Sequence, residues 1–204
     1  MNGYLAAIAF SYLLGSSSMA LYLAKLKRAD LRSGGSGNLG ASNATILLGW
    51  KAGILVALHD ILKATGAVLL ARHFFPNLPF VGSVAGVACV LGHIFPFYLK
   101  FRGGKGFASY LGMLLALNWK FALVIMAAVV LVTLITDYIV AGTTLTMVAS
   151  PLWIGYEHHS LLPLFILLIA SAVILYKHRE NYVRIYHGTE IGFRNSAKGK
   201  HRIR

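Results

Sequence analysis

Acidic charge is scarce in this chain of 204 residues: Asp and Glu together number 6, and all charged residues make up only 12%. An average soluble domain carries about 25% charged residues. So little polar surface cannot cover a water-soluble globule of this length. Six carboxylates also argue against a carboxylate-rich metal cage. Cysteine is nearly absent as well. Cys89 is the only one, which excludes a disulfide-stapled scaffold. What fills the chain instead is apolar: 57% hydrophobic residues and a mean hydropathy of +0.69. The composition is that of an integral membrane protein, all-α and multi-pass.

The 19 Lys and Arg give a formal charge of +13. In a soluble chain this balance would point to nucleic acid. Here the basic residues sit in gaps between apolar runs, so lipid headgroups and phosphorylated ligands are the better partners, and no nucleic acid is expected. A span needs roughly 17–25 helical residues. Asn2 to Leu23 is one, with no basic residue before it and Lys25, Lys27 and Arg28 after it, so it is read as an uncleaved first helix with its N-terminus outside. Further spans are Trp50 to Leu70, Phe80 to Tyr98, Tyr138 to Tyr156 (kinked by Pro151) and Leu161 to Tyr176. The stretch from Phe107 to Ile135 is either one long span or two short helices broken at Asn118-Trp119-Lys120.

Charge decides that case. The loop from Lys25 to Gly49, the loop from Lys100 to Gly106 and the C-terminal tail hold 15 of the 19 basic residues. All three lie on the cytoplasmic side only if Phe107–Ile135 crosses twice, which gives seven helices with a cytoplasmic C-terminus. Two helices are then short; Phe107–Leu117 is only about 16 Å long at 1.5 Å per residue. Residues 1–194 form one membrane domain on this reading, and 195–204 a basic tail attracted to anionic lipid. A monomer suits the size.

Three polar segments carry the candidate chemistry. The first, Arg32-Ser-Gly-Gly-Ser-Gly-Asn-Leu-Gly-Ala-Ser-Asn43, packs four glycines among hydroxyl and amide side chains. Glycine permits close backbone approach, and successive N–H groups form anion-binding concavities. No Gly-Lys-Ser/Thr closes the segment and no strand precedes it, so it is neither a Walker A loop nor a dinucleotide fingerprint. The second, Gly92-His93 through Gly103-Gly104-Lys105-Gly106, sets glycines around a lysine at the start of a helix, the makings of a phosphate cradle. His93 itself reads as a packed hydrogen-bonding residue. The third runs from Lys177 to Glu190. Its His178 and Asn181 are three residues apart, about 60° around a helix, and reach one site. A histidine with an unperturbed pKa of about 6.5 is a usable proton acceptor at neutral pH. Asp60 and Lys63, also three apart in the second span, read as paired with one another or with neighbouring helices, since an unpaired charge there would cost roughly 2.5–3.5 kcal/mol; the pair is either structural or a support for the active site or a conduction path. Trp50, Trp119 and Trp153 read as interface and packing aromatics.

In order and spacing, Gly35-Ser36-Gly37-Asn38-Leu39-Gly40-Ala41-Ser42-Asn43, the block Gly92-His93 to Lys105-Gly106, and His178, Asn181 and Gly188-Thr189-Glu190 resemble the three motifs of the bacterial acyl-phosphate-dependent glycerol-3-phosphate acyltransferases. The resemblance covers nearly the whole chain. It implies a small seven-helix protein of the bacterial cell membrane, active site toward the cytoplasm. Such a protein transfers a fatty acyl group from acyl phosphate to the 1-hydroxyl of glycerol 3-phosphate, giving lysophosphatidic acid and phosphate, without a metal. It implies Ser36, His178 and Asn181 as catalytic residues. It further implies Gly37, Asn38, Asn43, Gly103, Gly104, Lys105, Gly106, Thr143 and Glu190 as substrate- and phosphate-binding residues.

The sequence also departs from that pattern. Ile46 stands where members commonly carry arginine, leaving Arg32 or Lys51 as substitutes. Asp137-Tyr-Ile-Val-Ala-Gly-Thr143-Thr144 replaces a serine-rich junction, putting negative charge near an expected anion site, and Ser42 replaces a threonine. The rival readings are a transporter or binding protein for a phosphorylated metabolite, and an acyltransferase with a changed donor or acceptor. The glycine motifs lie at one membrane face and no inverted repeat is visible, which disfavours the transporter.

Overall fold

The computed structural model describes residues 2–197, so most of the expected basic tail, from Lys198 onward, lies outside the described residues. Among the described residues the regular elements are helices. They pack as two units, one ending at Trp119 and one beginning at Lys120. Among the described residues five helical stretches are long and apolar enough to cross a membrane, Asn2–Leu26, Trp50–Phe74, Val81–Leu99, Trp119–Thr136 and Ile139–Glu157, and the bent pair Leu161–Lys177 and Arg179–Tyr186 makes a sixth if taken as one span.

The first unit opens with α1 (Asn2–Ser16) and α2 (Met19–Leu26), the two halves of the first span. Serines cause the break. The Ser17 hydroxyl donates to the Leu14 carbonyl at 2.8 Å, and Ser18, in extended backbone, caps α2 by accepting from the Leu21 N–H. A break inside an apolar span releases backbone carbonyls that lipid cannot satisfy. Here the Tyr98 hydroxyl donates to the Ser16 carbonyl at 2.6 Å and the Lys63 ammonium to the Ser17 carbonyl at 2.8 Å.

After the first polar loop come α3 (Ala41–Leu48) and α4 (Trp50–Phe74), separated by Gly49 at φ +91°. Next are α5 (Val81–Ile94), a 3-10 turn (Phe97–Leu99) and α6 (Phe107–Leu117). The α5 helix is the hub of this unit; of its residues only Val84 and Leu91 are not fully buried. Small residues make this possible. A Cβ on Gly15 would strike the Cys89 backbone, and one on Gly92 the Tyr12 carbonyl, so α1 and α5 meet backbone to backbone.

The second unit comprises α7 (Trp119–Thr136) from its second residue on, α8 (Ile139–Glu157), α9 (Leu161–Lys177), α10 (Arg179–Tyr186) and α11 (Phe193–Ala197). The α7 helix buries Ala122, Ile125, Val129 and Thr133, one narrow stripe at helical spacing, and leaves Val124, Leu131 and Ile135 exposed. A face of that kind belongs in lipid. Pro151 sits inside α8 without ending it, and α9 and α10 meet at 43° across His178.

The ambiguous stretch is two helices, as charge suggested, with one correction. Only α6, at 11 residues, is short. Asn118 alone, in extended backbone, makes the break, so Trp119 and Lys120 join α7 and bring it to 18 residues, about 27 Å.

Candidate active site

The first motif forms a tight loop stapled from beneath. Asn43, fully buried on α3, accepts the Ser36 N–H at 2.8 Å through Oδ1 and donates from Nδ2 to the Leu31 carbonyl at 2.7 Å. Gly35 and Gly37 take φ of +59° and +65°, and the Gly37 N–H closes a turn onto the Gly34 carbonyl. Asn43 is thus the keystone of the loop: its amide is spent on shaping it. Ser36 and Gly37 stand exposed at its crest, with Asn38 half-buried beside them. Arg32 reaches from this loop to the second one, its Nη2 donating to the Arg102 carbonyl at 2.8 Å.

The second loop turns through Lys100 and Phe101, both left-handed, and returns to the end of α5. There the Gly103 N–H donates to the Ile94 carbonyl at 3.0 Å and the Gly104 N–H to the His93 carbonyl at 3.1 Å. Those two amides hold the loop in place. A Cβ on Gly103 would collide with the His93 carbonyl and the Pro96 ring, and one on Gly104 with the His93 imidazole, so this return path admits only glycine. The loop then delivers half-buried Lys105 and, through Gly106 at φ +93°, the N-terminus of α6. A lysine directly before a helix N-terminus is a combination that suits an oxyanion.

Behind that loop lies a buried polar cluster. The Lys63 ammonium donates to Asp60 Oδ1 at 2.8 Å and to the Ser17 carbonyl at 2.8 Å, and stands 2.9 Å from His93 Nδ1. His93 Nδ1 is also 3.3 Å from Asp60 Oδ1. The His59 ring contacts the Ser17 hydroxyl at 3.3 Å. The Asp60–Lys63 pairing expected from the sequence is present, and His93 is a hydrogen-bonding residue between helices. The carbonyl of Ser17 had no sequence signal, since its availability depends on a helix break.

In the second unit His178 is the hinge between α9 and α10 and is buried. Its Nδ1 lies 2.8 Å from the Ile174 carbonyl, which can only accept, so Nδ1 carries a proton. Asn181, on the first turn of α10, donates from Nδ2 to Glu190 Oε1 at 2.5 Å, and Arg184 Nε donates to Glu190 Oε2 at 2.5 Å. Glu190 therefore clamps Asn181 and Arg184, which explains its place at the end of the motif. Thr143 is fully buried and turns its hydroxyl onto the Ile139 carbonyl at 3.2 Å. Thr144 is the residue that meets α10, through the Tyr182 hydroxyl at 2.8 Å. Sequence reasoning singled out neither Thr144 nor Tyr182 for this; a second threonine one residue on was the available signal.

A family model described as Glycerol-3-phosphate acyltransferase matches residues 5–188. The chain belongs to the glycerol-3-phosphate acyltransferase family. A "Glycerol-3-phosphate acyltransferase 1" of Oceanobacillus iheyensis is 38% identical over 195 residues, covering 89% of this chain and 91% of that one. A "Glycerol-3-phosphate acyltransferase" of Nitrobacter winogradskyi is 42% identical, covering 93% and 95%. Among solved structures, PlsY (YgiH), an integral membrane glycerol 3-phosphate acyltransferase, in its glycerol 3-phosphate form superposes with a TM-score of 0.88 at 36% identity. It covers 96% of this chain and 98% of its own. Its lysophosphatidic acid form gives a TM-score of 0.84 at 35% identity over the same shares.

Within this family the departures noted above have local explanations. Ile46 is half-buried and faces Gly35 across the first loop. Of the two candidate substitutes, Arg32 lies between the glycine loops, whereas Lys51 sits over the Trp50 ring at 5.8 Å. Asp137 is engaged with the segment after the third motif. Its Oδ1 accepts the Arg194 N–H at 2.9 Å, its carbonyl accepts the Phe193 N–H at 2.7 Å, and Arg194 Nη2 donates to the Leu134 carbonyl at 2.6 Å. Its charge serves a clasp.

Proposed function

We propose that the chain transfers a fatty acyl group from acyl phosphate to the 1-hydroxyl of glycerol 3-phosphate, releasing lysophosphatidic acid and phosphate. The observation that carries this is the near full-length likeness to one enzyme in both its glycerol 3-phosphate and lysophosphatidic acid forms. Acceptor and product bracket an acyl transfer. The donor is proposed as acyl phosphate because a mixed anhydride carries its own good leaving group. A chain with 6 carboxylates then needs no metal or cofactor to activate it.

In the reaction the 1-hydroxyl oxygen bonds to the acyl carbon, the bond from that carbon to the phosphate oxygen breaks, and phosphate leaves with the electron pair. Lys105, the start of α6 and Arg32 oppose the charge gathering on the departing phosphate. Ser36, Gly37 and Asn38, held up by Asn43, orient the substrates, and orientation supplies much of the acceleration. His178, whose Nδ1–H is committed to Ile174, takes the hydroxyl proton on Nε2 when its ring is neutral. Asn181, fixed by Glu190, lines the reaction centre, with Thr143 shaping its surroundings.

The chain crosses the membrane seven times as a monomer on this proposal, counting α6 and the bent α9–α10 pair. Its N-terminus is outside, and its active site and C-terminus face the cytoplasm of a bacterial cell. The support is the 15 of 19 basic residues gathered on one side by that topology.

The test uses purified protein in liposomes given labelled glycerol 3-phosphate with either acyl phosphate or acyl-CoA. Lysophosphatidic acid formed with acyl phosphate alone is expected. Product from acyl-CoA alone would replace the donor, and uptake into the lumen without acylation would make the chain a transporter. Near-normal turnover of His178→Ala across pH would remove the histidine as base and leave the substrate's own phosphate to take the proton.

A further inference from the structure

An ammonium has three N–H donors and no acceptor. Those of Lys63 have three partners within 2.9 Å: Asp60 Oδ1, the Ser17 carbonyl and His93 Nδ1. The third partner fixes the imidazole. An N–H on Nδ1 would point into the ammonium at 2.9 Å, donor against donor, and would strand one ammonium proton in an apolar interior. The alternative acceptor for such an N–H, Asp60 Oδ1, is farther away at 3.3 Å and already takes the Lys63 bond. A doubly protonated ring would add a second cation beside Lys63, whereas a neutral ring leaves Asp60 and Lys63 as a balanced pair inside the span. The proton therefore belongs on Nε2. That nitrogen lies against Gly104, the position where a Cβ would collide with it.

We infer that Lys63 is a positioning residue. By occupying Nδ1 it holds His93 as the neutral Nε2–H tautomer, and so presents one more N–H donor at the glycine loop 103–106, for a phosphate oxygen of the acyl donor. The substrate contact rests on the acyl-transfer reading; the tautomer does not. Asp60 anchors the ammonium, and the Ser17–Ser18 break supplies its third acceptor. Where a histidine ligates a metal, removing the second-sphere partner that sets its tautomer typically costs about 10–100-fold, and a loss of that order is expected for this ring.

The full chain, labelled with 15N-histidine and reconstituted in lipid nanodiscs, reports the tautomer directly. The His93 signals are assigned by their loss in His93→Gln. A pyridine-like Nδ1 with a pyrrole-like Nε2 is expected; a pyrrole-like Nδ1, or two protonated nitrogens, overturns the proposal without any Lys63 variant having to fold. The paired change Asp60→Asn with Lys63→Met removes both charges at once. It should release the tautomer into a mixture and lower kcat about 10–100-fold, with little change in KM for glycerol 3-phosphate. In a His93→Gln background the same pair should lower kcat no further, whatever stability is lost with the bond to the Ser17 carbonyl, because Lys63 acts on the reaction through that ring. Additive losses would make the pair merely structural and overturn the proposal. A wild type with the expected tautomer but no acyl transfer would overturn the acyl-transfer reading, and the substrate contact with it, leaving the coupling of Lys63 to His93 in place.

Discussion

Replacing Gly104 by alanine adds a single methyl group where the structure has no room for it. The new carbon would lie 2.7 Å from Cε1 and 3.1 Å from Cδ2 of the His93 ring, and nearer still to Nε2. Ordinary contacts are about 3.5–4.0 Å, so with Nε2 at 2.0 Å the ring or loop must retreat by about 1.5 Å. The ring is held by Lys63 at 2.9 Å, and the loop by the Gly104 N–H on the His93 carbonyl at 3.1 Å. Overpacking of this kind costs about 1–3 kcal/mol, and a 1 Å misplacement near reacting groups costs about 100-fold in rate. The control is Gly66→Ala on α4, where a Cβ meets nothing within 4 Å. That substitution should be neutral or stabilising by about 0.5–1 kcal/mol. Initial rates of lysophosphatidic acid formation, alongside thermal unfolding in detergent, test the pair. Gly104→Ala with wild-type kcat, or the two variants losing activity equally, would refute the claim that the loop is seated on the histidine.

Glu190→Ala releases Asn181 and Arg184 together and should lower kcat/KM by about 100-fold, with Glu190→Gln intermediate because its oxygen still accepts from one of them; equal activity of the two would show that the clamp does not matter. Asn43→Ala strands the Ser36 N–H and the Leu31 carbonyl at about 1–3 kcal/mol each, so the melting temperature should fall by at least about 4 °C together with activity, and a loss of activity at unchanged stability would mean that Asn43 touches substrate instead. Asp137→Asn keeps the acceptor for the Arg194 N–H and loses only an exposed ion pair worth about 0–1 kcal/mol. Its KM for glycerol 3-phosphate should match wild type, and a clear fall would show that the carboxylate repels the substrate.

Much of this was legible in the sequence because each signal was local. Apolar length gave the spans, the distribution of lysine and arginine split Phe107–Ile135, and three-residue spacing paired Asp60 with Lys63. What stayed hidden depends on contacts between elements far apart in the chain. Nothing in Gly103 and Gly104 says that their amides turn back to α5 and are used there, since the same glycines would serve an open anion nest. Asn43 reads as a ligand-binding amide until its burial beneath the loop is seen. Asp137 looks like stray charge until the segment around Arg194 is found resting on it, 57 residues later. Thr143 and Thr144 are indistinguishable by composition, and only the rotation of α8 decides which of them meets Tyr182.

The interruption between α1 and α2 also bears on how the protein is made. The first span enters the bilayer before α4 has been synthesised, so the Ser17 carbonyl must wait, or borrow water, until a lysine from the next crossing arrives. That lysine travels with its own counter-ion one turn away, which eases passage through the translocon as a neutral couple. Docking of the two crossings then satisfies both at once. The early helix and the later charge each carry a debt that only the other settles, and proofreading of this half of the molecule can act at that meeting.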